Sequence, residues 1–180
     1  MRRARSTWVA WAAAGWMVLF GLMSCAWGAG LLLGSDTLGV EIDRLARERD
    51  GGFVLTLWAT GIAKLLAALL PVALATGWPS APRAGSDESS ARRVCSGEPR
   101  ARRAIRRATL LVGGAMTLYG LANLVQHALM QLRAIDVPAG LGGHAVPWHL
   151  ALWDPFWLLG GVLYLGAARL SLTPPARAAS

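Results

Sequence analysis

Residues 53–77 read FVLTLWATGIAKLLAALLPVALATG, a run with one ionisable side chain, Lys64, and no acid. A helix crosses a hydrocarbon core of roughly 30 Å in about 20 mostly apolar residues, so this run predicts a transmembrane helix. Three further stretches, 8–33, 108–132 and 155–172, meet or approach the same length. The predicted fold is all-α: an integral membrane four-helix bundle, antiparallel and up-down-up-down, making a single domain of residues 1–180. Apolar residues are 54% of the chain, and a soluble domain of that composition would expose large aggregating patches.

The formal net charge of +8 would suit nucleic acid, but its placement argues otherwise. Three arginines precede the first span, eight lie between the second and third, and Arg169 and Arg177 lie in the last turn of the fourth span and beyond it. The remaining connections hold only Arg44, Arg47, Arg49 and Arg133. This is the positive-inside pattern. It predicts both termini and the middle connection in the cytoplasm of a bacterial cell, in the plasma membrane, with no nucleic-acid partner. Residues 79–100, rich in Pro, Ser, Gly and charge, should form a disordered cytoplasmic loop. The basic segment Arg100–Arg107 should attract anionic lipid headgroups. Membrane lipids are thus the expected partners, and a homo-oligomer is open.

The N-terminal arginines followed by Leu22-Met23-Ser24-Cys25 imitate a lipoprotein signal. The apolar run, however, continues through Leu33 and exceeds a signal core of about 7–15 residues. Cys25 lies inside a span and Cys95 in the middle loop, so they do not pair. Gly21, Ser24, Cys25, Gly28 and Ala29 place small residues on one face of the first span, which should pack closely on a neighbouring helix. In the first outer connection Leu38, Ile42 and Leu45 share one side, while Asp43–Arg47 and Arg44–Glu48 are i,i+4 pairs on the other. That segment should lie on the membrane surface. Pro71 should kink the second span. Trp8, Trp11 and Trp78 should mark the inner interface, and Trp27, Trp148, Trp153 and Trp157 the outer one.

Lys64 is the only lysine, and it falls near mid-span, where a cation is costly without a partner. The third span carries Tyr119, Asn123, His127 and Gln131 at four-residue spacing, a polar stripe on an apolar helix. Consecutive spans should pack, so Lys64, Tyr119, Asn123 and His127 are expected to share a polar cluster, with His149 and Asp154 nearby from the outer end of the fourth span. His127, His144 and His149 have no recognised metal-site spacing. No metal, cofactor or catalytic residue is assigned, and no nucleophile elbow, metalloprotease helix, phosphate loop or dinucleotide fingerprint occurs.

The stretch Trp148-His149-Leu150-Ala151-Leu152-Trp153-Asp154-Pro155-Phe156-Trp157, with Trp58–Lys64 and Leu118–Asn123, resembles a family of small integral membrane proteins common in actinobacteria, domain-of-unknown-function family 3995. The resemblance covers the four spans. It implies a four-helix membrane protein with no catalytic residues to carry over. Relatives place a histidine shortly before the tryptophan at the outer end of the first span, where this chain has Ser24. The expected function is non-enzymatic: binding of a small ligand or lipid in an outward-facing polar pocket around Lys64. A transporter or channel subunit acting as an oligomer is the alternative, with a redox or metal protein behind it.

Overall fold

The structure is a computed structural model and describes residues 2–78 and 100–171, with side chains from Thr7 onward. Among these all the regular secondary structure is helical. The elements are α1 (Arg2–Gly28), a 3-10 turn (Ser35–Leu38), α2 (Val40–Arg47), α3 (Gly51–Ala67), α4 (Leu69–Thr76), α5 (Arg100–Gln131), α6 (Ala145–Trp148), a π-helical turn (His149–Trp153) and α7 (Asp154–Leu170). Four helical stretches are long and apolar enough to cross a membrane: Thr7–Gly28, Gly51–Thr76, Arg100–Gln131 and Ala145–Leu170. The first stops at Gly28, because Gly30 (φ 102°) leaves the helical region. The fourth begins at Ala145, ahead of the predicted start at 155. The predicted disordered loop 79–100 lies outside the described residues except for Arg100, which opens α5.

Local chemistry sets the helix ends and the one break. The Asp50 carboxylate accepts from the Phe53 amide at 2.8 Å and caps α3, satisfying one of the orphan amides of a helix start. The second stretch breaks at Ala68 between α3 and α4. Pro71 has no N–H to give the Ala67 carbonyl one turn back. The Tyr164 hydroxyl, from α7, donates to that carbonyl instead at 3.0 Å. Tyr164 is completely buried, so the proline's lost backbone bond becomes a tie between helices.

Glycine-lined contacts bring the helices together. A methyl group on Gly21 would stand 2.9 Å from Leu65, one on Gly61 would stand 3.2 Å from the Cys25 amide, and one on Gly28 would stand 3.0 Å from Trp58. Residue numbers rise along α1 as they fall along α3, so these two neighbours run in opposite senses. The small-residue face of the first span therefore packs within the chain. Between α5 and α7, Gly113 faces Tyr164 and Gly161 while Gly120 faces Trp157 and Leu158. Close approach of this kind substitutes for hydrophobic driving force where the solvent is lipid. Residues from α1, α5 and α7, with Ala68 at the break between α3 and α4, share the core of Ala10, Ala13, Met17, Ala68, Met116, Tyr164 and Ala167. Large apolar side chains such as Leu111 and Leu118 point outward, more than two-thirds exposed.

One predicted neighbour differs in the structure. It is α4, not α3, that packs on α5, so most of the second span stands against α1 and away from the polar stripe of the third. The α2 segment docks on the third connection, where the Val40 and Glu41 amides donate to Leu141 and Gly140 carbonyls at 3.2 and 2.8 Å. Together with the 3-10 turn it forms a lid over one end of the helices, here called the capped end. Arg47 and the Ser35 hydroxyl both reach Asp43, at 2.7 and 2.6 Å, and hold its carboxyl below the usual range. Among the tryptophans, Trp8, Trp11, Trp58, Trp78 and Trp148 are exposed. Trp153 is buried beneath the lid, and Trp157 packs inward against Phe20 and Tyr119.

Candidate functional site

The six residues expected to share a polar cluster fall into three places. Lys64, on α3, donates to the Ser24 hydroxyl at 2.8 Å, and Ser24 in turn donates to the Phe20 carbonyl at 3.3 Å. The ammonium also sits 3.6 Å from the centroid of the Phe20 ring, a cation–π contact. No carboxylate lies within ion-pair distance of it among the described residues. Tyr119, about half exposed on α5, sets its ring against Trp157; Asn123 is half-buried, and its amide turns back to the Tyr119 carbonyl at 2.8 Å. Lys64 is thus held by α1, because α1 is the helix beside α3.

A half-buried cation without a carboxylate keeps part of its desolvation cost, and a cation–π contact recovers about 0.5–2 kcal/mol. Lys64→Met should therefore leave the melting temperature in detergent unchanged or raise it, since Ser24 keeps its own acceptor. A loss of more than about 2 kcal/mol would show instead that the ammonium holds α1 to α3.

His127, His149 and Asp154 do come together, at the capped end. His127 projects from α5 and is 5% exposed; Asp154 opens α7 and is 1% exposed. His127 Nδ1 donates to Asp154 Oδ2 at 2.8 Å. His149 Nδ1 stands 3.8 Å from Asp154 Oδ1, and the two imidazole centroids are 4.3 Å apart. One ligand-type atom from each of the three residues lies within 4.8 Å of the others.

The π-helical turn brings His149 and Asp154 onto one face. Residues five apart on an α-helix point in different directions, but a π turn, with its i→i+5 hydrogen bonds, stacks them. Here the Asp154 amide donates to the His149 carbonyl. Pro155 explains why the turn widens at this point. Its ring has no N–H for the Ala151 carbonyl and would collide with that carbonyl in a regular helix. The Trp-Asp-Pro signature seen in the sequence is thus the device that aims the histidine at the carboxylate.

The lid is pinned to the same segment. His149 Nε2 donates to the Leu38 carbonyl at 3.2 Å, His144 Nε2 to the Asp36 carbonyl at 2.8 Å, and Trp153 Nε1 to the Thr37 hydroxyl at 3.1 Å. Three successive lid residues therefore each receive a donor from residues 144–153. Nothing in the sequence marked the turn Ser35–Leu38 as a partner of the site; its backbone carbonyls carry no side-chain signature. The His149 side chain remains 16% exposed, which leaves the cluster one open side.

The family described as Protein of unknown function (DUF3995) matches this chain over residues 17–164. No curated protein and no solved structure matches it.

Proposed function

This chain belongs to the DUF3995 family, and we propose that it is a non-enzymatic multi-pass protein of a bacterial plasma membrane that binds a small cation at its capped end, on the exterior face. The carrying observation is the Asp154 carboxylate, 1% exposed and set between two imidazoles. An ionisable group inside a bundle of membrane-length helices is expensive and marks a functional position. A carboxylate flanked by imidazole nitrogens offers lone pairs to a cation. The site thus lies at His127, His149 and Asp154, while Lys64, packed under Phe20, has no part in it.

The arginine distribution supports the orientation, with the capped end outside and Arg100–Arg107 in the cytoplasm. Arg100, Arg103 and Arg107 share one face of α5 with Ala104, Ala108 and Leu111, a basic stripe above an apolar floor that suits anionic headgroups.

Gly143 is exposed, and a Cβ there meets nothing within 4 Å. With Cys25 replaced by alanine, Gly143→Cys should react with a membrane-impermeant maleimide in intact cells, and Cys95 only after lysis. Diethyl pyrocarbonate should modify His149 ahead of His127. Labelling at residue 143 only after lysis, or a His149 as unreactive as His127, would refute an exterior site that exchanges its ligand.

A further inference from the structure

We propose that the cation held by His127, His149 and Asp154 is a divalent first-row transition ion of the zinc class, bound through two imidazole nitrogens and one carboxylate oxygen. This rests on the cation site proposed above and names its occupant.

Hydrogen bonding at His149 carries the argument. Its Nε2 faces the Leu38 carbonyl at 3.2 Å. A carbonyl only accepts, so Nε2 bears the hydrogen and Nδ1 of the neutral ring is a bare lone pair. That lone pair stands 3.8 Å from Asp154 Oδ1, acceptor beside acceptor, with the carboxylate buried and the imidazole open on one side. The arrangement is repulsive unless something positive lies between them.

Asparagine at 154 would suit the neutral protein better. Its carbonyl would accept from His127, and its amide would donate to His149 Nδ1 once the present 3.8 Å gap closes to hydrogen-bond distance. The aspartate makes sense where the partner is a cation.

The donor set matches the class. Two imidazoles and a carboxylate, with an open fourth position, suit zinc, with bonds near 2.0–2.2 Å. Calcium and magnesium prefer all-oxygen shells. Two of the three donor separations, 2.8 and 3.8 Å, bracket the roughly 3.3–3.6 Å between donors around a tetrahedral ion with such bonds; all three donors lie within 4.8 Å of one another, so closing the site means rotating the two rings toward each other. On binding, the His127 ring would change tautomer: its Nδ1 hydrogen leaves to water and Nε2 takes one up, so the ring stays neutral and offers Nδ1 as a lone pair. The Leu38 carbonyl already does for His149 what carbonyl partners do for metal-bound histidines, fixing tautomer and ring plane. The His149 side is the open one, where a hydrated ion can arrive.

The test uses the full chain in detergent, purified without an oligohistidine tag, stripped with chelator and dialysed against zinc sulfate. Metal is counted by mass spectrometry, and cobalt(II) serves as the absorbing probe. Wild type should retain one ion per chain and give cobalt bands of tetrahedral intensity. Asp154→Asn should keep the wild-type melting temperature while losing affinity by about tenfold or more, and His149→Gln should lose it similarly. His144→Gln, outside the cluster, should bind as wild type.

Zinc-free wild-type protein would overturn the inference and leave a proton as the positive partner. Equal retention by Asp154→Asn and His149→Gln, or loss only in His144→Gln, would overturn it as well. Sidedness is read separately by the label at residue 143. An exterior label without zinc binding removes the metal alone, and an interior label with zinc bound removes the exterior reading alone.

Discussion

Gly161→Ala should lower stability by about 1–3 kcal/mol, the usual cost of overpacking a filled interior. A methyl group at 161 would stand 2.7 Å from the Thr117 amide and 2.9 Å from the Gly113 carbonyl, and against the Thr117 hydroxyl as well. Two of these are backbone atoms, so no side-chain rotation relieves the crowding; α5 and α7 must separate. That interface also carries Gly113 against Tyr164, whose hydroxyl ties α7 to the Ala67 carbonyl. Separation would therefore loosen the second span too. Gly114 is the control, because a methyl group there meets nothing within 4 Å. Gly114→Ala should be neutral, or should stabilise by up to about 1 kcal/mol through helix propensity. Thermal melting in one detergent reads both. A wild-type melting point for Gly161→Ala beside a depressed one for Gly114→Ala would contradict the α5–α7 packing.

Asp154→Leu should cost roughly 1–3 kcal/mol, the penalty for a buried donor left without an acceptor. The donor is His127 Nδ1–H, whose acceptor is Asp154 Oδ2 at 2.8 Å. The damage should spread to the lid, because His149 stacks on Asp154 through the π turn and holds the Leu38 carbonyl. Trypsin cuts at arginine, and Arg44 and Arg47 sit on the exposed face of α2. Cleavage there should be faster in Asp154→Leu than in wild type. Asp154→Asn, which can satisfy both imidazoles, should cleave and melt like wild type. Identical behaviour of the leucine and asparagine variants would show that the hydrogen bonds at 154 do not hold the capped end.

The contrast between Lys64 and His149 shows where sequence reasoning reached and where it stopped. That Lys64 lies deep in a span follows from counting residues, and so does its need for a partner. Which partner does not follow. Helical periodicity says which residues share a face but not which of three other helices that face meets. Consecutive spans pack so often that α5 was the natural expectation, yet α1 occupies that side of α3 and supplies Ser24. Tyr119 and Asn123 lose their supposed partner for the same reason, Tyr119 meeting Trp157 instead. His127 was legible as a polar group in an apolar helix, and Asp154 as the acid nearest the predicted outer end. His149 was legible only as a neighbour in the chain, since five-residue spacing on a regular helix would have aimed it elsewhere.

Hydropathy and arginine placement, both properties of the chain alone, determined that this protein is helical with four membrane-length spans, because transfer into hydrocarbon sums residue by residue and needs no knowledge of contacts. The small-residue face of the first span and the break near Pro71 were local in the same sense. Tertiary structure alone decided that the lid folds onto residues 140–153, that Tyr164 answers the carbonyl stranded by Pro71, and that a widened turn sets His149 over Asp154 against His127. Those outcomes depend on a few hydrogen bonds and close approaches between segments distant in sequence, each worth about a kilocalorie per mole, and no pattern within a single helix encodes them.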